Sequence, residues 1–224
     1  MSLLSNFFKT TPKNDSIANI IKKEQSDTQA DLSHAQAIYD KATQCYDQGD
    51  YDTAATLLLE AATSGFADAW CSLAVMHCQG QGVRQDFEKG RELFIKAADS
   101  GSAKACHNLG VMHYHGFGIK PDLEQAFNWY QRAAELKHAE AIYNLGVMSE
   151  RGEGVSPNTS KAVAYFEEAA SLGFMKAYYS LGMCYLDGKG VKASKERAIE
   201  YFEIACNQGD AEACEMLADL KFYG

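Results

Sequence analysis

Ala139-Glu140-Ala141-Ile142-Tyr143-Asn144-Leu145-Gly146 opens a stretch that runs on through Gly152-Glu153-Gly154-Val155 to Asn158, and its pattern returns when the chain is shifted by 36 residues. Units begin at Ala67, Ala103, Ala139 and Met175, and a truncated fifth spans Ala211 to Gly224. Self-similarity at a fixed period is the signature of a repeat array, in which one supersecondary unit buries its apolar face against copies of itself. Counted from each unit's first residue, position 3 is always alanine (Ala69, Ala105, Ala141, Ala177, Ala213) and position 7 always leucine (Leu73, Leu109, Leu145, Leu181, Leu217).

Position 8 is Gly or Ala throughout: Ala74, Gly110, Gly146, Gly182 and Ala218. A glycine inside a helix costs about 1 kcal/mol relative to alanine, so its recurrence predicts a neighbouring helix too close for a larger side chain. Positions 4, 7, 8 and 11 form one stripe at helical spacing, as in Trp70, Leu73, Ala74 and His77, or Tyr178, Leu181, Gly182 and Tyr185. That stripe is the expected buried face of a first helix.

Each first helix meets a Gly-x-Gly followed by Val or Ile: Gly80-Gln81-Gly82-Val83, Gly116-Phe117-Gly118-Ile119, Gly152-Glu153-Gly154-Val155 and Gly188-Lys189-Gly190-Val191. Such a glycine supplies the left-handed residue that commonly ends a helix. These are structural turns, because a dinucleotide-binding glycine loop needs a preceding strand that the pattern lacks. Three residues on stands a good N-cap (Asp86, Asp122, Asn158, Ser194), which starts a second helix carrying Ala126, Tyr130, Ala133 and Ala134, or Ala198, Phe202, Ala205 and Cys206. Asn158-Thr159-Ser160 also matches a glycosylation acceptor, and the cap reading is preferred in a chain with no export signal.

Ahead of the units, Gly49-Asp50-Tyr51-Asp52 and Ala54 join two amphipathic stretches by a tighter turn. The expected organisation is a mobile polar tail over residues 1–33, with one helix near its end, and a helix pair over 34–66. Four 36-residue units follow over 67–210, and a truncated helix over 211–224 caps the stack. The fold class is all-α, a right-handed α/α solenoid of antiparallel helix pairs.

Composition narrows the function. With 224 residues and 46% hydrophobic content the chain buries a sizeable core, and its net charge of −9 repels polyanions. Basic residues are scattered and interleaved with acids, so nucleic acid is not an expected partner. Apolar runs are too short to span a membrane, and no secretory leader opens the chain, which predicts a cytoplasmic protein. Seven cysteines without a CxxC pair read as reduced, buried small hydrophobes. Cys206 and Cys214, eight residues apart across a helix junction, are a sterically feasible disulfide if the compartment is oxidising.

From residue 67 to 224 the Ala-x-Ala, Leu-Gly, Gly-x-Gly-Val and Ala-Ala elements resemble the Sel-one-like repeat (SLR) family. The first pair, through Gly49-Asp50-Tyr51-Asp52 and Ala54, resembles a tetratricopeptide repeat. The chain departs from the pattern at Gly90, where the second helix normally has alanine, and at Lys137, where a unit normally ends in Gly. The resemblance implies a non-catalytic adaptor or scaffold of bacterial type. The alternative it implies is a penicillin-binding or β-lactamase-type hydrolase, an activity attributed to cysteine-rich members whose disulfides are spaced like Cys206 and Cys214. Here only that junction has the pair, since Ala98/Cys106, Ala134/Ile142 and Ala170/Tyr178 fill the others.

Beside the buried stripe, positions 2, 5, 6, 9 and 12 of successive first helices line a common surface, the expected concave side of the solenoid. Position 5 gives Cys71, His107, Tyr143 and Tyr179, and position 9 gives Val75, Val111, Val147 and Met183. That is too apolar for a solvated face. Position 6 gives Ser72, Asn108, Asn144 and Ser180, of which an amide can donate to and accept from an extended peptide backbone. By resemblance to tetratricopeptide grooves, Lys104 and Lys176 at position 2 are candidates for an acidic group or a C-terminal carboxylate. The expected ligand is therefore a protein or peptide segment. The alternative is that the valines pack between repeats and the amides satisfy local polar groups.

Other chemistry is weakly supported. His77, Cys78, His113 and His115 lack the i, i+4 spacing that brings two ligands together, so no metal or cofactor is expected, and His77 and His113 read as hydrogen-bonded core residues. No Ser-x-x-Lys and no Gly-x-Ser-x-Gly occurs, and Glu167-Glu168 reads as a solvated face. A monomer is expected, with self-association through Leu217, Leu220 and Phe222 at the C-terminal edge as the alternative.

Overall fold

A computed structural model of the chain describes residues 14–222, with side chains from residue 31 onward. Eleven helices and no strand occur among the described residues. The chain divides into two compact units, residues 1–69 and 70–224.

In the first unit, helices α1 (Asn14–Asp47) and α2 (Tyr51–Thr63) pack against each other. Gly49 turns the chain at a φ of 81°, and the Asp50 carboxylate accepts from the Thr53 N–H to cap α2. Ala35, Ala42, Ala54 and Ala61 are fully buried. Helix α1 takes in residues 14–33 of the expected tail, a stretch without Gly or Pro to break it. Residues 1–13 lie outside the described residues.

The second unit is an α/α solenoid built from α3 (Ala67–Gln79), α4 (Phe87–Asp99), α5 (Ala103–His115), α6 (Leu123–Glu135), α7 (Ala139–Arg151), α8 (Thr159–Ser171), α9 (Met175–Asp187), α10 (Lys195–Asn207) and α11 (Ala211–Phe222). From α4 onward each helix packs on the next in sequence. The glycines end the first helices as expected: Gly116, Gly152 and Gly188 are left-handed C-caps with φ of 77°, 71° and 68°. The caps of the second helices are also in place, with Asp86, Asp122, Asn158 and Ser194 accepting from the N–H groups of Lys89, Gln125, Lys161 and Arg197. The second glycine of each turn has a different reason. A Cβ on Gly154 would collide with the Leu123 carbonyl, and one on Gly190 with that of Thr159, so each turn rests on the start of the preceding second helix.

Position 8 explains itself through the second helix of the same unit. A Cβ on Gly110, Gly146 or Gly182 would lie 2.5 Å from the ring of Tyr130, Phe166 or Phe202 respectively. These three aromatics are at most 3% exposed. Lys137 holds a φ of 61°, the left-handed position that Gly101, Gly173 and Gly209 fill at the other unit ends. At the last junction the structure joins Cys206 to Cys214, with Cα atoms 4.7 Å apart.

Candidate functional site

The buried aromatics that close on the position-8 glycines also carry the candidate surface. His107 lies 5.6 Å from Tyr130, Tyr143 5.5 Å from Phe166, and Tyr179 5.7 Å from Phe202, ring centre to ring centre. On another side, His107 stacks on His138 at 4.7 Å and Tyr143 meets Phe174 at 5.0 Å. His138 and Phe174 are the N-cap residues of α7 and α9. Each position-5 ring is therefore held by a core aromatic and, in two units, by the entry to the next first helix. This is the pre-organisation that lowers the ordering cost of binding.

A second device links neighbouring repeats. Asn108 Nδ2 donates to Cys71 Sγ at 3.5 Å, Asn144 Nδ2 to His107 Nε2 at 3.3 Å, and Ser180 Oγ to the Tyr143 hydroxyl at 3.4 Å, each pair 37 residues apart. Position 6 of one unit thus holds position 5 of the unit before. The amides expected to face a peptide backbone spend one N–H on this ladder; the Asn144 amide also bonds the Tyr130 hydroxyl. Asn108 also bonds His107, so what remains for a ligand is chiefly the Asn144 carbonyl oxygen.

His107 is the electrostatic centre of the surface. Its side chain is 12% exposed, and burial, with the neighbouring His138, pushes its pKa down to about 4. At neutral pH the ring is uncharged, with Nε2 accepting from Asn144, and the Glu140 carboxylate 3.9 Å away makes no ion pair with it. The Tyr114 hydroxyl donates to Glu153 at 2.7 Å, and Arg151 stands 3.7 Å from that carboxylate.

Two adjoining depressions result. One, of about 370 Å³, is lined by His107, Val111, Tyr143, Asn144 and Val147 together with Tyr114, Glu140 and Arg151. The next, of about 190 Å³, is lined by Tyr143, Val147, Tyr179, Ser180 and Met183 together with Glu150, Arg151, Cys184 and Lys189. Tyr143, Val147 and Arg151 are common to both. Burial raises the Cys184 thiol to about 11, so it stays protonated at neutral pH.

The structure brings eight of the sequence-predicted residues together here: His107, Val111, Tyr143, Asn144, Val147, Tyr179, Ser180 and Met183. Ser72, Lys104, Asn108 and Lys176 line neither depression, and the two lysines are exposed. Cys71, at the start of the position-5 row, is buried at 4% exposure. Tyr114 and Glu150 stand at position 12, which belonged to the expected surface although its residues were not singled out, whereas Arg151 and Lys189 were missed because position 13 and the middle of Gly-x-Gly change type from unit to unit. Only their shared register marked them. The expectation of hydrogen-bonded His77 and His113 is corrected: Nδ1 of each is buried without a partner. No cluster of His, Cys, Asp and Glu that could hold a metal occurs among the described residues. No described helix is long and apolar enough to cross a membrane. At the C-terminal edge Leu217 and Leu220 pack against the core of the last pair, while Phe222 is 84% exposed.

A Sel1 repeat model matches residues 67–102, 103–138, 139–174 and 176–210. No curated protein matches the chain. Among solved structures, a Sel1 repeat protein from Oxalobacter formigenes is 28% identical with a TM-score of 0.75, covering 83% of this chain and 78% of that one. A protective antigen present in uropathogenic Escherichia coli strains, displaying an SLR fold, is 27% identical with a TM-score of 0.73. The match covers 87% of this chain but only 41% of the antigen.

Proposed function

The chain belongs to the Sel1 repeat family, and from that premise we propose that it is a protein-interaction scaffold holding a segment of a partner protein along the first helices α5, α7 and α9. The observation that carries the reading is the row His107, Tyr143 and Tyr179. Three half-buried rings stand in successive units, each tied to a core aromatic, beside two depressions that share the Val147 wall. A preformed apolar row flanked by polar atoms is what an extended segment needs: rings and valines take its side chains, and the Asn144 carbonyl meets its backbone.

The proposed mechanism is rigid presentation, with no bond made or broken. The position-6 ladder fixes the rings before the partner arrives, so little rotamer freedom is lost on binding. Tyr143 and Tyr179 supply large contact areas of the kind that dominate interfaces. The mixed charges at the rim, Glu140, Glu150, Arg151 and Lys189, set which segments are accepted.

The test is selection of peptides from a displayed random library on the full chain, followed by measurement of the winners against Val147→Lys. A lysine on the wall common to both depressions places a charge where side chains must seat. Affinity should fall at least tenfold with the circular dichroism spectrum unchanged. Equal affinity for the folded variant would place the binding surface elsewhere.

A further inference from the structure

The ladder that fixes the ring row changes chemistry at its last step. Asn144 holds His107 and Ser180 holds Tyr143, each by a hydrogen bond, but the residue in the same register against Tyr179 is Met216 of α11. A thioether has no hydrogen to donate. The second support changes too. His107 and Tyr143 meet the rings of His138 and Phe174, whereas the equivalent residue for Tyr179 is Asp210, whose carboxylate caps α11 by accepting from the Ala213 N–H at 2.9 Å. Tyr179 is therefore held by Phe202, 5.7 Å away, and by the start of α11. Its phenol feels that helix: burial raises its pKa, and the carboxylates of Glu212 and Asp210 raise it further. Tyr179 and Met183 also pack on the same core cluster as Met216, Leu217 and Leu220.

Packing alone holds α11 weakly. Of its residues only Ala213 is buried, where α5, α7 and α9 bury five, six and five. Leu217 is half-buried, while Leu109, Leu145 and Leu181 at the same position are at most 1% exposed. The last junction supplies a covalent bond instead. Cys206 of α10 is joined to Cys214 of α11 at the register where earlier junctions have Ala98/Cys106, Ala134/Ile142 and Ala170/Tyr178. Closing so short a loop favours docked α11 by on the order of 100-fold. Both cysteines are half-buried, within reach of a small dithiol, and the other five are already free.

We propose that the Cys206–Cys214 bond is a redox latch on the fourth-unit end of the groove, an inference that rests on the scaffold function proposed for that groove. Oxidised, the bond keeps α11 docked and Tyr179 and Met183 set for the partner. A dithiol opens it by exchange: one reductant sulfur bonds to a bridge sulfur and expels the other cysteine as thiolate, and the second reductant thiol then displaces the first cysteine. Two electrons and two protons pass to the protein, leaving two cysteine thiols and a cyclic disulfide. Helix α11 then undocks and Tyr179 loses its support. The groove shortens to the His107 and Tyr143 part on α5 and α7.

The test compares the oxidised full chain with the same chain in dithiothreitol, with reduction verified by thiol counting. Without any ligand, reduction should speed amide hydrogen exchange from Ala213 to Leu220 at least tenfold and shift the Tyr179 ring resonances, leaving those of Tyr143 in place. Peptides selected on the oxidised chain should bind the reduced chain at least tenfold more weakly, keeping their footprint at Val111 and Tyr143 and losing it at Tyr179 and Met183. Reoxidation should restore affinity. The double variant Cys206→Ser, Cys214→Ser should behave as the reduced chain with or without dithiothreitol. If no peptide binds even the oxidised chain, the groove is not a binding surface and the latch has nothing to control. If peptides bind both states equally, the groove stands and the latch alone falls. Unchanged exchange in α11, or an unmoved Tyr179 ring, in fully reduced protein would also overturn the latch.

Discussion

Gly146→Ala puts the link between the repeat's small residue and its groove to a quantitative test. In an unconstrained helix the change stabilises by about 1 kcal/mol. Here the new Cβ would lie 2.5 Å from Cε1, 2.7 Å from Cδ1 and 3.2 Å from Cζ of Phe166. The ring cannot retreat freely, because it is 1% exposed in the core and also packs against Tyr143 at 5.5 Å. Forcing an extra carbon into such a core costs about 1–3 kcal/mol, and this contact is at the severe end, so the net effect is a loss of about 1–2 kcal/mol. For a protein of this size that is a fall in melting temperature of roughly 2–8 °C. Thermal unfolding by circular dichroism reads it. Phe166→Leu in the same chain should convert the alanine from harmful to neutral or helpful, giving a coupling on the order of 1 kcal/mol in a double-mutant cycle. A Gly146→Ala protein more stable than the wild type would refute the packing argument and the account of how Tyr143 is positioned.

Three further outcomes follow from the same structure. The lowered pKa of His107 means that below its ordinary value of 6.5 the unfolded chain binds a proton that the native chain refuses until about pH 4. Its contribution is whole above pH 6.5 and is lost as pH falls toward 4, by on the order of 3 kcal/mol; denaturant titrations of wild type and His107→Tyr across that window should show the variant losing less. Lys137→Gly relieves a left-handed non-glycine residue at the expense of the exposed pair with Glu168 at 2.9 Å, and should raise stability by roughly 0.5–1 kcal/mol in chemical denaturation. Because the Cys206–Cys214 bridge closes a short loop, reducing it should cost about 2–3 kcal/mol, confined to unfolding of α11, and thiol counting after native purification should find five free cysteines.

The fold was legible because the repeat reports each constraint several times. One glycine at position 8 is ambiguous, but Gly110, Gly146 and Gly182 together demand one cause, and the structure supplies an aromatic ring at the same place in each unit. The caps were equally readable, since Asp86, Asp122, Asn158 and Ser194 are chemically alike and equally spaced. Helix α1 was less so: its reach back to Asn14 has no repeat partner against which to be compared.

For the candidate site, the row of position-5 rings was readable from register. The use of Asn108 and Asn144 was not, because the sequence shows an amide's position and not the neighbour that takes its hydrogen. Arg151 and Lys189 escaped for the opposite reason, varying where the pattern demanded constancy. Ser149 stood in the stripe of inward positions, yet only the structure shows that its hydroxyl is buried without a hydrogen-bond partner.

The central claim, that a partner segment lies along α5, α7 and α9, is tested most directly by mapping the footprint of a selected peptide through amide and side-chain chemical shifts of the full chain. Shifts concentrated at Val111, Tyr143, Val147, Tyr179 and Met183, with α4, α6, α8 and α10 unmoved on their outer faces, are the predicted result. A footprint on those second helices, with Val147 and Tyr179 unshifted at saturation, would contradict it.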